Sequence, residues 1–557
     1  MRTNPNKFHT SAGDGSPNPL IEEVSGLQCR NPGSASVSGP SHPAQSQQEV
    51  ADFLSDPATH NLEICPIRIE THGSIVTLAG SNVYKIKRAV SYPYMDFSTL
   101  EKRQAACEAE LSVNRKNAPD IYLDVIPITR APGNGLSLGG SGDVVEWAVH
   151  MRRFDEATTL DHLADSGRLT RNIVDDLAAA VRRCHDSAPV NRSLDPVAQM
   201  QNVISQTSDE LKERCGGRCA FLPELLSNLQ ALLDQQSELI RARANQGHVR
   251  HCHGDLHLRN IAMINGKPVL FDAIEFDPAL ATIDTLYDLS FLVMDLCHRR
   301  LRPLGCRFLN RYLWETKGEG EEIAGLALLP LFLALRACIR AVVLAAQSEL
   351  THTDKLWTDI KAYLADARSF LQPNPTQIVA IGGLSGSGKS SISDLLAPCL
   401  GAAPGAVQVR SDIERKRLFG VPALTRLGPE AYSQTASQDV YGVLMELAEA
   451  AARAGRCAVV DATFLHGLSR QQIEEMTRHC GASFTGIWLD APATVLRRRI
   501  VSRSADASDA TVLVLEKQLQ GDTAPMTWHR IDASGSPDGV LQQVLSVMHM
   551  TAGAETL

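Results

Sequence analysis

The sequence predicts two unrelated folds in one chain: an α+β domain first, then an α/β domain built on a parallel sheet. Three observations predict this. The chain has 557 residues, and single hydrophobic cores stop growing at roughly 250–300 residues. Short alternating runs after residue 60 give way to a long helical signal, whereas beyond 378 strands and helices alternate in the rhythm of βαβ units. Hydrophobic residues make up 44% and charged residues 21%, ordinary globular usage that lets both domains bury a core.

Residues 1–47 (SAGDGSPNPL, NPGSASVSGPSHPAQSQQ) hold too few apolar side chains to offset the entropy of ordering them, and a disordered tail is expected. The first domain is expected over 48–370. A helix at QQEVADFL leads into the strands HGSIVTLAG and VYKIKRAV, joined by a turn at AGSN. Ser98 with Glu101 three residues on reads as a capping box that starts a helix. The β-branched runs IYLDVIPITR and DVVEWAVHMRRF add two strands. From Thr159 to about 370 the pattern is helical, broken by the loop HCHGDLHLRNIAMINGKPVLFDAIEFD. Two prolines in LQPNPTQ, 371–377, mark a linker. Over 378–550 the apolar strands QIVAIGG, AVQVRSD, RCAVVDATF, SFTGIWLDAP and WHRID alternate with helical segments.

A net charge of −9 and a pI near 6.0 have the wrong sign for a protein that grips nucleic acid by neutralising phosphates. The 13 cysteines form no regular framework, so free thiols in a reducing compartment are expected. His251, Cys252 and His253 are consecutive and point in different directions, which disfavours one shared ion. No apolar run reaches the ~18 residues of a membrane span, and no apolar signal core is present. The expected location is the cytoplasm.

GGLSGSGKSS satisfies G-x-x-x-x-G-K-[ST] and lies between the strand QIVAIG and the helix SSISDLL, the placement a phosphate-cradling loop requires. The nucleotide-binding stretch is Gly383, Leu384, Ser385, Gly386, Ser387, Gly388, Lys389, Ser390 and Ser391. Its backbone N–H groups and the helix N-terminus attract phosphate; Lys389 reaches the β- and γ-phosphates and Ser390 holds Mg²⁺. Asp412 and Asp461 each follow a strand, at the sheet edge where α/β sheets bind ligands. A carboxylate there can hold Mg²⁺ or take the proton of an attacking hydroxyl; we assign Asp461 to the metal. Arg499 and Arg503 are four apart, on one helical face, where guanidinium groups can stabilise a transferring phosphoryl.

HGDLHLRN fits H-x-D-x-x-x-x-N, in which Asp255 accepts the substrate hydroxyl proton and Asn260 holds a metal. The hairpin IAMINGKPVLFD delivers Asp272 as a second metal carboxylate. A kinase site of this kind also needs a strand Lys paired with a helix Glu. Lys85 and Lys87 share one strand face, and Glu108 competes with Glu110; Lys85 and Glu110 are preferred.

GLSGSGKSS, VRSD, VVDATF and the arginine helix resemble the small P-loop kinases of the gluconate kinase, polynucleotide 5′-kinase and zeta-toxin group. That resemblance implies Asp412 as base and Arg499 and Arg503 as part of a lid over ATP. HGDLHLRN and its flanks, over roughly 60–365, resemble the aminoglycoside phosphotransferase-like branch of the protein-kinase-like fold. Two departures stand out: HGSIVTLAGSN lacks G-x-G-x-x-G, and DAI replaces Asp-Phe-Gly. The combination resembles a bacterial two-domain family fusing the two kinds of domain. That resemblance names no substrate; with the motifs it leads us to expect a Mg²⁺- and ATP-dependent phosphotransferase with two nucleotide sites, moving the γ-phosphate to a hydroxyl of a small molecule, sugar or nucleoside-like. The alternatives are a P-loop ATPase switch carrying a ligand-binding kinase-like module, or an aminoglycoside-type antibiotic phosphotransferase. The sequence names neither the acceptor nor an oligomeric state.

Overall fold

The computed structural model describes residues 43–548, apart from 72, 93–94, 132, 134, 317–318, 352, 503–507 and 521–524. The described chain divides into two compact units, one ending at Phe154 and the other beginning at Asp155.

The first unit is an antiparallel sheet of six strands with helices. The strands follow the order Ile67–Glu70, Ser74–Ala79, Asn82–Lys87, Asp143–Arg152, Tyr122–Arg130 and Leu136–Leu138. Ala79 pairs with Asn82, so Gly80 and Ser81 make the expected two-residue turn, with Gly80 at φ 60°. Of the expected tail 1–47, residues 1–42 lie outside the described residues, and a helix runs from Pro43 to Ser55. Its Val50, Ala51 and Leu54 pack on the sheet. Gln47 is buried because its amide donates to Lys87 O and Glu146 Oε2 and accepts from Ala89 N. The helix expected from Ser98 runs from Leu100 to Asn114 and is capped by Thr99, whose hydroxyl accepts from Lys102 N. Ser98 is diverted into the turn at Asp96, to which its hydroxyl donates.

In the second unit helices surround the loop 251–277. The hairpin Ile261–Ile264 with Lys267–Leu270 turns at Asn265 and Gly266, both at positive φ, as the Asn-Gly pair favours. Five parallel strands follow in the order Val407–Arg410, Ala458–Asp461, Gln377–Gly383, Ser483–Asp490 and His529–Asp532; these are the five apolar runs of the sequence. The helix before 371 ends at Phe370 and the first strand begins at Gln377. Yet one apolar core continues from the helices, at Leu286 and Phe332, into the sheet at Val407 and Val409.

One helical stretch, Gly320–Glu349, is long and apolar enough by composition to cross a membrane, despite Arg336 and Arg340 within it; 89% of its most apolar window is buried inside the protein. It is the central helix of this core.

Candidate functional site

The buried central strand Gln377–Gly383 delivers the phosphate loop at its C-terminal end. Gly383 has φ 145°, and a Cβ there would lie 2.6 Å from Leu489 O; at Gly386, φ 84°, it would lie 2.8 Å from Leu496 O. Only glycine lets the chain turn this tightly beside the neighbouring backbone. Gly388, φ 92°, opens the helix Lys389–Leu396. Lys389 Nζ folds back over the loop and donates to Gly383 O and Leu384 O, each at 3.1 Å. Ser390 Oγ donates to Asp461 Oδ2 at 2.6 Å, so the helix start and the end of the adjacent strand meet.

A cavity of about 650 Å³ opens here and is lined by Lys389, Ser390, Asp412 and Asp461 among others. Burial, and then the neighbouring Asp461 carboxylate, raise the Asp412 carboxyl above its ordinary value. Like charges close together disfavour double ionisation, which is how a carboxylate becomes a better proton acceptor. Arg499, on the helix Ala493–Val501, donates to Ser387 O at 3.5 Å and Gly535 O at 3.1 Å. Arg503 lies outside the described residues.

Gln518, Tyr441 and Thr463 are among the cavity residues that sequence reasoning missed. Gln518 Oε1 accepts from Ser385 N at 2.9 Å. Tyr441 Oη accepts from Phe464 N at 2.8 Å and meets Thr463 Oγ1 at 3.3 Å. Phe464 has φ 47°, strained for a bulky side chain, and the Tyr441 hydroxyl helps hold it. These contacts join residues 22 to 133 positions apart, so no local spacing could reveal them.

The HGDLHLRN loop is organised by burial. Asn260 Nδ2 donates to Asp255 Oδ2 at 2.9 Å and to Asp255 O at 3.0 Å. Burial opposes ionisation of Asp255, but His257, 3.4 Å away, with His253 and Arg336, outweighs it and holds the carboxyl at about 2. Phe271 N donates to Asn260 O, and His253 Nε2 lies 2.9 Å from Phe271 O, which brings Asp272 beside the loop at φ 57°. Asp288, fully buried and unforeseen from the sequence, is the anchor. It accepts from His253 N at 3.3 Å, from Gly254 N at 2.8 Å and faces His185 Nε2 at 3.0 Å.

In the first unit Glu110 is completely buried and bridges both candidate lysines, 2.8 Å to Lys85 Nζ and 2.6 Å to Lys87 Nζ. Burial opposes its charge, yet the two ammonium groups hold its carboxyl below the ordinary value. Glu108 takes part instead in an exposed bond from Gln104. Both lysines serve the one carboxylate, as their shared strand face allows.

Both donor sets fit the groups the motifs imply. Ser387 Oγ is buried in the phosphate loop without a hydrogen-bond partner, beside a cradle that a Cβ would fill. Ser390 with Asp461, and Asn260 with Asp272, are the oxygen donors a hard divalent cation takes. The sulfur of Cys252 instead approaches His185 and Asp288. That cluster is structural: His185 is bonded through both ring nitrogens, to Tyr312 and Asp288, and Asp288 is already occupied by backbone donors. The described cysteines are free, and burial pushes thiols such as Cys107 and Cys338 up to about 12.

The profile of the Phosphotransferase enzyme family matches residues 126–326, and that of an AAA domain matches 378–525. An uncharacterized protein of Mycobacterium tuberculosis is 26% identical over 475 residues, 84% of this chain and 92% of that protein. A sugar kinase structure from Janibacter is 22% identical and covers 33% of this chain and 99% of its own, with TM-score 0.24. A choline/ethanolamine kinase family structure from Mesorhizobium loti is 13% identical, covering 59% and 95%, with TM-score 0.36. The chain thus joins a segment that matches the phosphotransferase enzyme family to a second segment, carrying the P-loop, that matches an AAA domain.

Proposed function

We propose that the chain moves the γ-phosphoryl group of ATP to a hydroxyl of a small polar molecule, such as a sugar or nucleoside-like compound, at two sites on its two folds. The observation that carries this reading is the cavity in which Lys389 and the Ser390–Asp461 pair share one space with Asp412. Bound ATP supplies the phosphoryl group, and a divalent cation neutralises its oxygens. The residues of the chain position and neutralise. Lys389 is freed from the loop carbonyls to meet phosphate, Ser390 and Asp461 hold the cation, and Asp412 takes the proton of the acceptor hydroxyl. Gln518, Tyr441 and Thr463 add polar lining to the cavity, suited to a hydroxylated compound. Within the second unit Asp255 is the corresponding base, with Asn260 and Asp272 as the cation ligands; within the first, Glu110 orients Lys85 and Lys87.

The test is ATP consumption across a metabolite panel, with products identified by mass spectrometry, for wild type, Lys389→Ala and Asp255→Asn. Each variant is expected to lose transfer to a different acceptor. Full consumption by both variants on every acceptor would defeat the two-site reading.

A further inference from the structure

The helix Arg302–Trp314 contributes no side chain to the roles assigned above, yet it is fastened to both sets of residues within the second unit. The strand Val407–Arg410 is at the edge of the parallel sheet, where backbone groups lack a strand partner. Side chains of the helix take that place. Asn310 Oδ1 accepts from Gln408 N at 2.6 Å, Asn310 Nδ2 donates to Ala406 O at 3.0 Å, and Trp314 Nε1 donates to Gln408 O at 3.3 Å. This strand leads directly into Asp412. Its last residue, Arg410, lies 5.2 Å over the Trp314 ring and 3.6 Å from Asp461. Arg307 adds a second tie, to Asp394 at 3.1 Å. Asp394 belongs to the helix that starts with Lys389, and it lines the cavity.

Two positions from Asn310, hence on nearly the opposite side of the helix, Tyr312 is completely buried and its hydroxyl lies 2.8 Å from His185 Nδ1. His185 Nε2 meets Asp288, the carboxylate that holds the His253 and Gly254 N–H groups of HGDLHLRN. One rigid element therefore buttresses the strand that presents Asp412 and, through two side chains, the loop that presents Asp255. A shift of this helix cannot be felt at one end alone, because close-packed interiors transmit displacement.

We propose that Arg302–Trp314 is a positioning helix shared by the two sites, which couples nucleotide occupancy of the phosphate-loop cavity to the HGDLHLRN loop. The proposal rests on the reading of that cavity as a nucleotide site. Asn310, Arg307 and Tyr312 are its positioning residues.

Amide hydrogen exchange of the full chain, with and without saturating Mg·ADP, tests it. In wild type, residues 383–391 gain protection, and exchange across 251–258 changes about fivefold or more, the lower end of ordinary coupling between sites. Lys389→Ala abolishes the protection at 383–391 and diminishes the response at 251–258 to what direct occupancy of the second site leaves. Asn310→Ala keeps the protection at 383–391 but shows the same diminished response at 251–258 as Lys389→Ala. Arg307→Ala, at a partly exposed position, gives the same result should Asn310→Ala fold poorly. The coupling is overturned if 383–391 is protected while 251–258 stays unchanged. It is equally overturned if the 251–258 response persists undiminished in Lys389→Ala, since ADP would then act on that loop directly, or in Arg307→Ala. Absence of protection at 383–391 in wild type would sink the nucleotide reading itself, and the coupling with it.

Discussion

Replacing Gly386 with alanine perturbs the phosphate loop without touching a charged group. The residue sits at φ 84°, and the new Cβ would lie 2.8 Å from Leu496 O and 3.0 Å from Ile500 Cγ1. Left-handed backbone costs a residue with a Cβ roughly 1–2 kcal/mol. Relieving contact with a fixed carbonyl adds about 1–3 kcal/mol, the usual range for overpacking. If nucleotide needs the loop in this conformation, about 2–5 kcal/mol is withdrawn from binding, a rise in Kd of about 30-fold to several thousand-fold. Titration calorimetry with Mg·ADP measures it, on the binding phase that Lys389→Ala removes. Gly442→Ala is the control: that helical glycine has nothing within 4 Å of its Cβ position, so alanine should bind normally and gain about 0.5–1 kcal/mol of stability. Gly386→Ala binding within about threefold of wild type, with unchanged unfolding, would refute the argument from backbone geometry.

Asp288→Ala leaves the His253 and Gly254 N–H groups buried without acceptors, at about 1–3 kcal/mol each; faster amide exchange confined to 251–256 is the expected signature. Glu110→Gln leaves two buried ammonium groups facing a neutral amide, and breaking a buried pair in this way costs about 3–5 kcal/mol, measurable by denaturant unfolding. Because the Glu110 carboxyl is held below its ordinary 4.5, its stabilisation is fully present above pH 4.5 and is lost as pH falls through the lower folded value. Wild type should lose that increment on acidification and Glu110→Gln should not.

Much of the chemistry was legible because it is local. GGLSGSGKSS carries its own requirements: glycine wherever φ is positive or a carbonyl is close, lysine and serine at the helix start. Asn265–Gly266 announces its hairpin through the same left-handed preference. The five apolar runs after 377 become five parallel strands because continuous apolar character suits strands buried on both faces. Choices between neighbours were not legible. Glu108 and Glu110 differ only in which helix face turns inward, and the sheet decides that. Lys85 and Lys87 were inseparable by spacing, and the structure gives both the same carboxylate. Ser98 reads as a cap, but Asp96 engages its hydroxyl; Gln47, placed in the expected tail, is instead buried against partners on the sheet and its following loop.

By itself, then, the sequence determined the loops, the residue types they present, and the alternation that builds each sheet, since these follow from backbone conformations and side chains a few residues apart. Tertiary structure alone decided that Asp288 holds HGDLHLRN, that Tyr441 and Gln518 complete the cavity, and that Asn310 covers the open edge beside Asp412. Those contacts span 23 to 133 residues, and the satisfaction of a buried polar group depends on which surfaces the fold brings together.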